Sequence, residues 1–277
     1  MSWTVATVPD LDPSPASLTA VVRNAPAGVN LVILPFLATT PDVATTMERA
    51  LLRQAERPPS RTVALVSAAA RARGINVAVS FYEIVGEGVR YSSVALVGSD
   101  GSILSTYRQA HAVNRPGQHE QLFFQPGMVG FPVTAVDGVR TGLLLGGDVW
   151  VPETARLLAL GGSQLLILIA APPAADRPLT ITLARARAAE NGRPVLVCLR
   201  NDGDLPGETL LVGADGLERR TEPADGWTLV TLDPDDLAPA NPATDPFRLR
   251  RPRLYGPLAH GDEVASDERS AIADGPP

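Results

Sequence analysis

Lysine is missing from this sequence, and all 24 basic residues are arginine. No residue can therefore act as a catalytic lysine, which excludes mechanisms that need a lysine ammonium group at the reacting centre. Cysteine occurs once, at Cys198, so an internal disulfide framework and a cysteine-based metal cluster are also excluded. Because Cys198 lies within a run of apolar residues, we expect its thiol to be buried and unreactive.

Excess basic charge and long apolar runs are missing as well. The formal net charge is −6 and the sequence pI is about 5.1, so nothing suggests an electrostatic surface for nucleic acid. No apolar run approaches the roughly 20 residues that span a bilayer. Residues 1–13 lack the basic and apolar regions of a secretory signal. These absences predict a cytoplasmic protein with no membrane and no nucleic-acid partner.

Patterns that would bind a cofactor or a metal ion are also absent. The turn at Gly86-Glu87-Gly88 lacks the helix that a phosphate-binding loop requires. His119 and His260 lie in predicted loops and do not have the spacing of metal ligands. No Gly-any-Ser-any-Gly motif marks a serine nucleophile. We therefore expect neither a cofactor nor a metal.

The clearest pattern in the chain covers residues 141–171. Thr141–Leu145 lack alternation between polar and apolar residues, which is typical of a strand covered on both faces. A Gly146-Gly147-Asp148 turn ends this strand, and Pro152 then fits the first turn of a helix that Gly161 ends. A strand end that opens into a helix is where α/β folds usually place reacting groups.

Strand and helix patterns alternate along the rest of the chain, which predicts an α/β protein. Residues 41–55 carry apolar side chains at helical spacing, whereas residues 114–126 are polar and rich in glycine and proline, as in a loop. No internal repeat and no linker precede residue 233. The sequence predicts a single domain over residues 1–256 and a flexible C-terminal tail over residues 257–277.

Six short motifs follow one another between residues 3 and 256. They are, in chain order, Asn30–Pro35, Tyr107-Arg108 with His111, Phe124–Gly127, Gly142 with Asp148, Pro152, Glu153, Arg156 and Gly161, Ala186–Asn191, and Arg251–Tyr255. Each resembles a motif of the nitrilase superfamily, the carbon–nitrogen hydrolases, and the order is the family's, with no large insertion. The resemblance implies a four-layer α-β-β-α sandwich with two mixed β-sheets. It also implies dimers or larger homo-oligomers that associate through the helix at Pro152–Leu160.

The resemblance fails at the three catalytic positions of the family. That family uses a glutamate as general base, a lysine that stabilises the tetrahedral intermediate and a cysteine nucleophile, which correspond here to Phe36, Gln109 and Gly146. Loss of one member of such a unit typically lowers the rate by around 10⁶-fold, and loss of all three is hardly worse. Phe36 should fill space where a substrate would lie and Gly146 should free space nearby, so we expect a reshaped pocket.

Five other residues are candidates for that pocket: Glu120, His111, Gly147, Asp148 and Trp150. Glu120 lies where the family often carries a second pocket glutamate, and simple exposure to solvent is the alternative. Asp148 could act as an acid or base, or it could bind the backbone amides that open the following helix. The resemblance implies a structural role for His111.

Three functions remain open at this point. The first is a non-catalytic pseudoenzyme that serves as an interaction or regulatory subunit, with itself or with an active nitrilase-family partner. The second is a protein that binds a small molecule, such as a carboxylate, amide or amine, in the vestigial pocket. The third is an amide hydrolase with replaced chemistry, in which Asp148, Glu120 or His111 activates water.

Overall fold

The computed structural model describes residues 2–8, 11–201, 205–238 and 245–259. The strands are β1 (Trp3–Thr7), β2 (Leu31–Ile33), β3 (Asn76–Val85), β4 (Val89–Val97), β5 (Ile103–Arg108), β6 (Asn114–Arg115), β7 (Gln118–His119), β8 (Val133–Val136), β9 (Val139–Leu145), β10 (Leu165–Ala170), β11 (Val195–Leu199), β12 (Glu208–Val212), β13 (Glu218–Arg219), β14 (Glu222–Ala224) and β15 (Trp227–Leu232). The α-helices are α1 (Pro15–Arg23), α2 (Val43–Thr46), α3 (Arg61–Arg73), α4 (Glu120–Phe123), α5 (Pro152–Leu160), α6 (Arg177–Asn191) and α7 (Gly256–Ala259). Short 3₁₀ helices lie at Arg49–Gln54, Gly146–Trp150, Ala174–Asp176, Pro246–Leu249 and Pro252–Leu254.

Most strands belong to two sheets that mix parallel and antiparallel pairs. The first sheet has the order β14-β15-β1-β2-β3-β4-β5, and β1, β2 and β3 pair in parallel. The second has the order β13-β12-β11-β10-β9-β8, and its parallel strands are β9, β10 and β11. Strands β6 and β7 form a separate hairpin.

Three groups of buried apolar residues show how the layers stack. One group combines side chains from β1–β4 with side chains from β9–β11, so it fills the space between the two sheets. A second group packs α1 and α3 on the first sheet, and a third packs α5 and α6 on the second. The predicted four-layer α-β-β-α sandwich is therefore confirmed.

The segment that opens the second sheet follows its predicted course closely. Strand β9 is buried along Thr141–Leu145, and β10 pairs with it in parallel. Pro152 begins α5, and the chain turns at Gly161. A Cβ atom at Gly142 would lie 2.9 Å from the Leu158 side chain, so glycine is what lets α5 pack closely on β9.

Two other segments differ from their prediction. The helix expected over residues 41–55 is broken, because α2 ends at Met47, whose φ of +58° lies in the left-handed region, and the chain continues as the Arg49–Gln54 3₁₀ helix. The loop expected over residues 114–126 contains the β6–β7 hairpin and α4. Elements of two to four residues are too short for a hydrophobic period to reveal.

The chain divides into two units, residues 1–240 and 241–277. In the second unit, the Arg251 amide donates to the Tyr255 hydroxyl at 2.8 Å, which closes a short turn. The predicted domain boundary at residue 256 stays a prediction, and residues 260–277 of the predicted tail lie outside the described residues. None of the helices in the described part of the chain is long and apolar enough to cross a membrane.

Candidate active site

Gly146 stands at the end of β9, where the chain enters a 3₁₀ helix with a φ of +45°. A Cβ atom placed on Gly146 would lie 2.6 Å from Glu120 Oε1 and 2.9 Å from Gln109 Nε2. Real Cβ atoms do not approach other atoms that closely, so two polar side chains occupy the space that a nucleophilic side chain would need. The expectation that Gly146 frees space is therefore wrong.

The first of these two side chains, Glu120, is fully buried at the start of α4. Its Oε2 accepts hydrogen bonds from Gln109 Nε2 at 2.7 Å and from the Val113 amide at 2.9 Å. The Gln118 side-chain amide approaches Oε1 at 3.4 Å and also donates to the carbonyl of Ala171. Glu120 is thus held inside the molecule, and the alternative of a solvent-exposed residue is wrong.

Burial raises the pKa of Glu120 to about 8. Desolvation is the largest cause, and the negative charges of Asp42 and Asp148 act in the same direction. The hydrogen bonds from the Val113 amide and the Gln109 side chain oppose the shift without cancelling it. Glu120 is therefore mostly protonated at neutral pH.

Gln109, the second side chain at this site, follows β5 and is buried. Its Nε2 donates to Glu120 and, at 3.0 Å, to the carbonyl of His111. Its Oε1 is buried and has no hydrogen-bond partner among the described residues. The glutamine links Glu120 to the backbone of His111, but it brings no positive charge to the site.

Asp148 is fully buried two residues after Gly146 and binds several parts of the backbone. Its oxygens accept from the amides of Leu145 at 3.0 Å, Ala110 at 3.2 Å and His111 at 3.0 Å. The Tyr107 hydroxyl donates to it at 2.7 Å. Asp148 binds backbone amides as expected, but these amides belong to β9 and to the segment after β5 rather than to α5. That correction removes Asp148 from the open pocket.

His111 has its ring against Asp148. Its Nδ1 lies 3.1 Å from Asp148 Oδ1 and 3.1 Å from the Thr154 hydroxyl, and the ring stacks on Phe131 with the centroids 6.2 Å apart. About a third of the side chain is exposed. The contacts fix the orientation of the imidazole, which agrees with a structural role and leaves one edge of the ring near solvent.

Gly147 and Trp150 line a cavity of about 10 Å³ together with Gly146, Gln118 and Pro172. That volume is about enough for one water molecule. A Cβ atom on Gly147 would lie 2.7 Å from the Val113 side chain, so this glycine also allows a close approach. The vestigial pocket is nearly closed.

An arginine from β6 packs on Trp150, one of the residues that line this cavity. Arg115 lies over the Trp150 ring, 3.9 Å from its centroid, and forms two hydrogen bonds with Asp176 at 2.7 and 2.8 Å. The ion pair holds the β6–β7 hairpin on the segment after β10.

Phe36, at the position of the family's general base, is fully buried in the core between the two sheets. Its carbonyl accepts a hydrogen bond from Arg200 Nη1 at 2.8 Å. A phenyl ring can neither accept nor hold a proton, so no base replaces the missing glutamate at this position.

The structure thus brings Gln109, Glu120, Gly146 and Gly147 together, and it places Asp148 and His111 in an adjoining network. Sequence reasoning missed Gln118, which reaches Glu120 from β7, because a polar residue in an apparent loop gives no periodic signal. Among the described residues, no group of three or more His, Cys, Asp or Glu side chains could hold a metal ion.

The pattern that defines the family described as "Carbon-nitrogen hydrolase" matches residues 9–238 of this chain. The chain belongs to the carbon–nitrogen hydrolase family. The chain is similar to citrullinase from Francisella tularensis, with 30% identity over 213 residues that cover 71% of this chain and 74% of citrullinase. It is also 29% identical to N-carbamoylputrescine amidase from Arabidopsis thaliana over 159 residues, which cover 57% of this chain and 53% of that enzyme. The chain therefore spans about half the length of the latter relative.

Solved structures of carbon–nitrogen hydrolases share the fold. The carbon-nitrogen hydrolase from Helicobacter pylori G27 superposes with a TM-score of 0.80 at 22% identity, covering 93% of this chain and 98% of its own. A double mutant of the amidase from Nesterenkonia sp. AN1, in complex with acrylamide, superposes with a TM-score of 0.73 at 23% identity, covering 91% and 95%. These similarities confirm that the chain has the nitrilase-type fold.

Proposed function

We propose that this protein is a catalytically inactive member of the carbon–nitrogen hydrolase family, a pseudoenzyme whose fold serves association with other protein subunits. One observation carries the proposal. Residue 146, where the family has its nucleophile, is a glycine, and Glu120 and Gln109 occupy the space that a side chain there would need. Gly146 supplies no nucleophile, and a side chain at that position would have to displace Glu120 or Gln109.

No nearby group supplies the missing chemistry. All the hydrogen-bonding capacity of Asp148 visible in the structure is directed to the backbone, to Tyr107 and to His111. Cys198 is buried on β11, and burial raises the pKa of its thiol, which leaves it uncharged and unreactive.

Association is the role that the surface supports best. Leu157 and Leu160 on α5 are each almost half exposed, and both point away from the buried face of a helix that forms an outer layer of the sandwich. Large apolar side chains in that position are typical of an interface. We propose that α5 mediates a homodimer or a larger oligomer, or a complex with an active member of the family. A cytoplasmic location stays a prediction from composition.

A second function, amide hydrolysis with replaced residues, is favoured by one arrangement. His111 is oriented by Asp148 and is partly exposed, as an imidazole that takes a proton from water would need to be. The proposal ranks below inactivity because no described group near this ring is placed to stabilise an oxyanion.

The test is the release of ammonia from a panel that contains citrulline, N-carbamoylputrescine and acrylamide. We expect no turnover above the buffer blank, because loss of the nucleophile typically lowers the rate by about 10⁶-fold. Turnover that His111→Gln abolishes and His119→Gln leaves intact would overturn inactivity in favour of the second function. His119 is a suitable control because it lies on β7, in the same region of the chain.

A further inference from the structure

A second and much larger cavity lies away from Gly146. It is an open groove of about 630 Å³ between the end of α2, the turn that joins β3 to β4, and α4. The volume falls within the range of about 300–1,000 Å³ that is typical of small-molecule sites. None of the residues considered above for catalysis lines it.

One side of the groove is apolar and open to solvent. Met47, Val89 and Leu122 are 45%, 43% and 65% exposed, and Phe123 lies beside them. Three large apolar side chains that converge on one concavity form a patch that water solvates poorly, and such patches usually mark a binding surface. This apolar side of the groove therefore suits an aliphatic chain.

Two guanidinium groups lie at the same groove. Arg90 uses Nη1 to donate to the carbonyl of Gly88 at 2.9 Å, but its Nε is buried and has no hydrogen-bond partner among the described residues. Arg49 is exposed and forms no ion pair with the described part of the chain. Burying a charged donor without a partner is costly, so an acceptor brought by a ligand would be stabilised there.

The remaining charge at the groove limits the ligand. Glu87 lines it as well and offsets one of the two arginines, which leaves a net charge of about +1. A singly charged anion matches that balance, whereas a phosphate or a polyanionic segment would be repelled by the carboxylate. A guanidinium group also pairs with a carboxylate in a planar, two-bond geometry.

We propose that this groove binds a free aliphatic carboxylate of medium chain length, with its head on Arg90 and its chain along Met47, Val89 and Leu122. The carboxylate pairs with the guanidinium group of Arg90, and Arg49 adds a screened attraction at the rim. The site is independent of the proposed inactivity, because it shares no lining residue with the vestigial pocket.

The test is a calorimetric titration of the full-length protein with sodium decanoate, kept below its micelle concentration. We expect saturable binding with one site per chain. Arg90→Met should raise the Kd by about tenfold or more, since a charge-assisted hydrogen bond is lost. Arg49→Gln should raise it only about two- to threefold, because an exposed ion pair contributes little.

Arg53→Gln is the matched control, because Arg53 is an exposed arginine on the same 3₁₀ helix that does not line the groove. A second pair guards against misfolding of the Arg90 variant: Leu122→Glu should abolish decanoate binding, and Leu65→Glu, at an exposed site on α3, should leave it unchanged. The proposal is wrong if wild-type protein shows no saturable binding, or if decanol and decylamine bind as tightly as decanoate. Retention on phosphatidylglycerol vesicles without binding of free decanoate would assign the groove to a membrane surface and overturn it too.

Discussion

Glu120 places a fully buried carboxyl group in the space beside Gly146. Three side-chain or backbone donors surround it, and water does not reach it, so its neutral form is the stable one at pH 7. A group with that environment fills and satisfies the interior. It also makes the fold sensitive to pH.

The free energy of unfolding should fall as the pH rises. The pKa of Glu120 is raised from 4.5 to about 8 in the folded protein, so its contribution is fully present below about pH 4.5 and is lost as the pH rises towards 8. At about 1.4 kcal/mol per pH unit, roughly 3 kcal/mol should disappear between about pH 5.5 and 8.5. Urea denaturation of wild-type protein and Glu120→Gln across this range measures the difference, since the variant cannot ionise.

The control for this experiment is Glu153→Gln, which changes an exposed glutamate on α5. Its stability profile should run parallel to that of the wild type. If the Glu120→Gln profile also runs parallel to the wild type, Glu120 does not bind its proton in the folded state, and the account of the filled site fails.

Gly146 should resist any side chain, including the cysteine of its family. Gly146→Ala puts a Cβ atom 2.6 Å from Glu120 Oε1 at a positive φ, and we expect a loss of about 2–4 kcal/mol in unfolding free energy from strain and overpacking together. Gly86→Ala separates the two causes, because Gly86 has a φ of +56° and open space around it. It should cost only about 1 kcal/mol. Equal losses for both variants would show that no clash exists at residue 146.

The same arrangement explains which site residues sequence reasoning could reach. The losses at residues 36, 109 and 146 were readable from motif order alone. The filling of the space beside Gly146 was not, because it depends on Glu120 folding inward against Gln109 and Gln118 from a segment that lacks any hydrophobic period. Burial of a charged residue is the kind of outcome that propensity argues against and tertiary hydrogen bonding reverses.

At the scale of elements, Asp148 connects β5 to β9. One carboxylate accepts from the backbone at the end of β9, from the backbone just after β5 and from the Tyr107 hydroxyl, so it ties the first sheet to the second beside Gly146. Breaking a hydrogen bond costs more free energy when its donor then stays buried without a partner. The element-scale role of this residue is therefore larger than any catalytic one.

Asp148→Asn should lower the unfolding free energy by about 3 kcal/mol, because an amide nitrogen would face at least one buried backbone donor. Tyr107→Phe removes the hydroxyl's hydrogen bond to Asp148 and its longer one from the Ala110 amide, which keeps Asp148 as an acceptor, so it should cost only about 1–1.5 kcal/mol. Denaturant titration of the two variants checks this order, and an Asp148→Asn protein as stable as the wild type would contradict it. If Asp148→Asn is destabilised as expected, a loss of activity in this variant cannot by itself assign a catalytic role to Asp148.

Long elements with a clear period were predicted well, and short ones were not. Strand β9 and helix α5 lie within one or two residues of their expected bounds. The helix expected over residues 41–55 failed because Met47 adopts a left-handed conformation that no apolar spacing can signal.

At the scale of the whole molecule, the chain has the carbon–nitrogen hydrolase fold, while residues 36, 109 and 146 differ from the catalytic residues that the resemblance implies. The four layers depend on apolar strands and on helix faces, which are spread over the chain and tolerate substitution as long as volume and pattern are kept. Catalysis depends on a few side chains held in one place. That difference is why motif order predicted the architecture, while activity has to be judged residue by residue.

Association through α5 is the prediction that belongs to this scale. A two-fold interface would bring α5 of two chains together, so Leu157 and Leu160 of both chains would be buried in it. The double variant Leu157→Glu with Leu160→Glu should convert the oligomer to monomers, with an unchanged circular dichroism spectrum, because both side chains are nearly half exposed in the single chain. Light scattering after size exclusion measures the mass. The matched control, Leu65→Glu with Leu104→Glu, changes two exposed leucines on α3 and β5 and should keep the oligomer intact. A wild-type protein that is monomeric at micromolar concentration would exclude a homo-oligomer and leave a complex with another family member as the way in which α5 is covered.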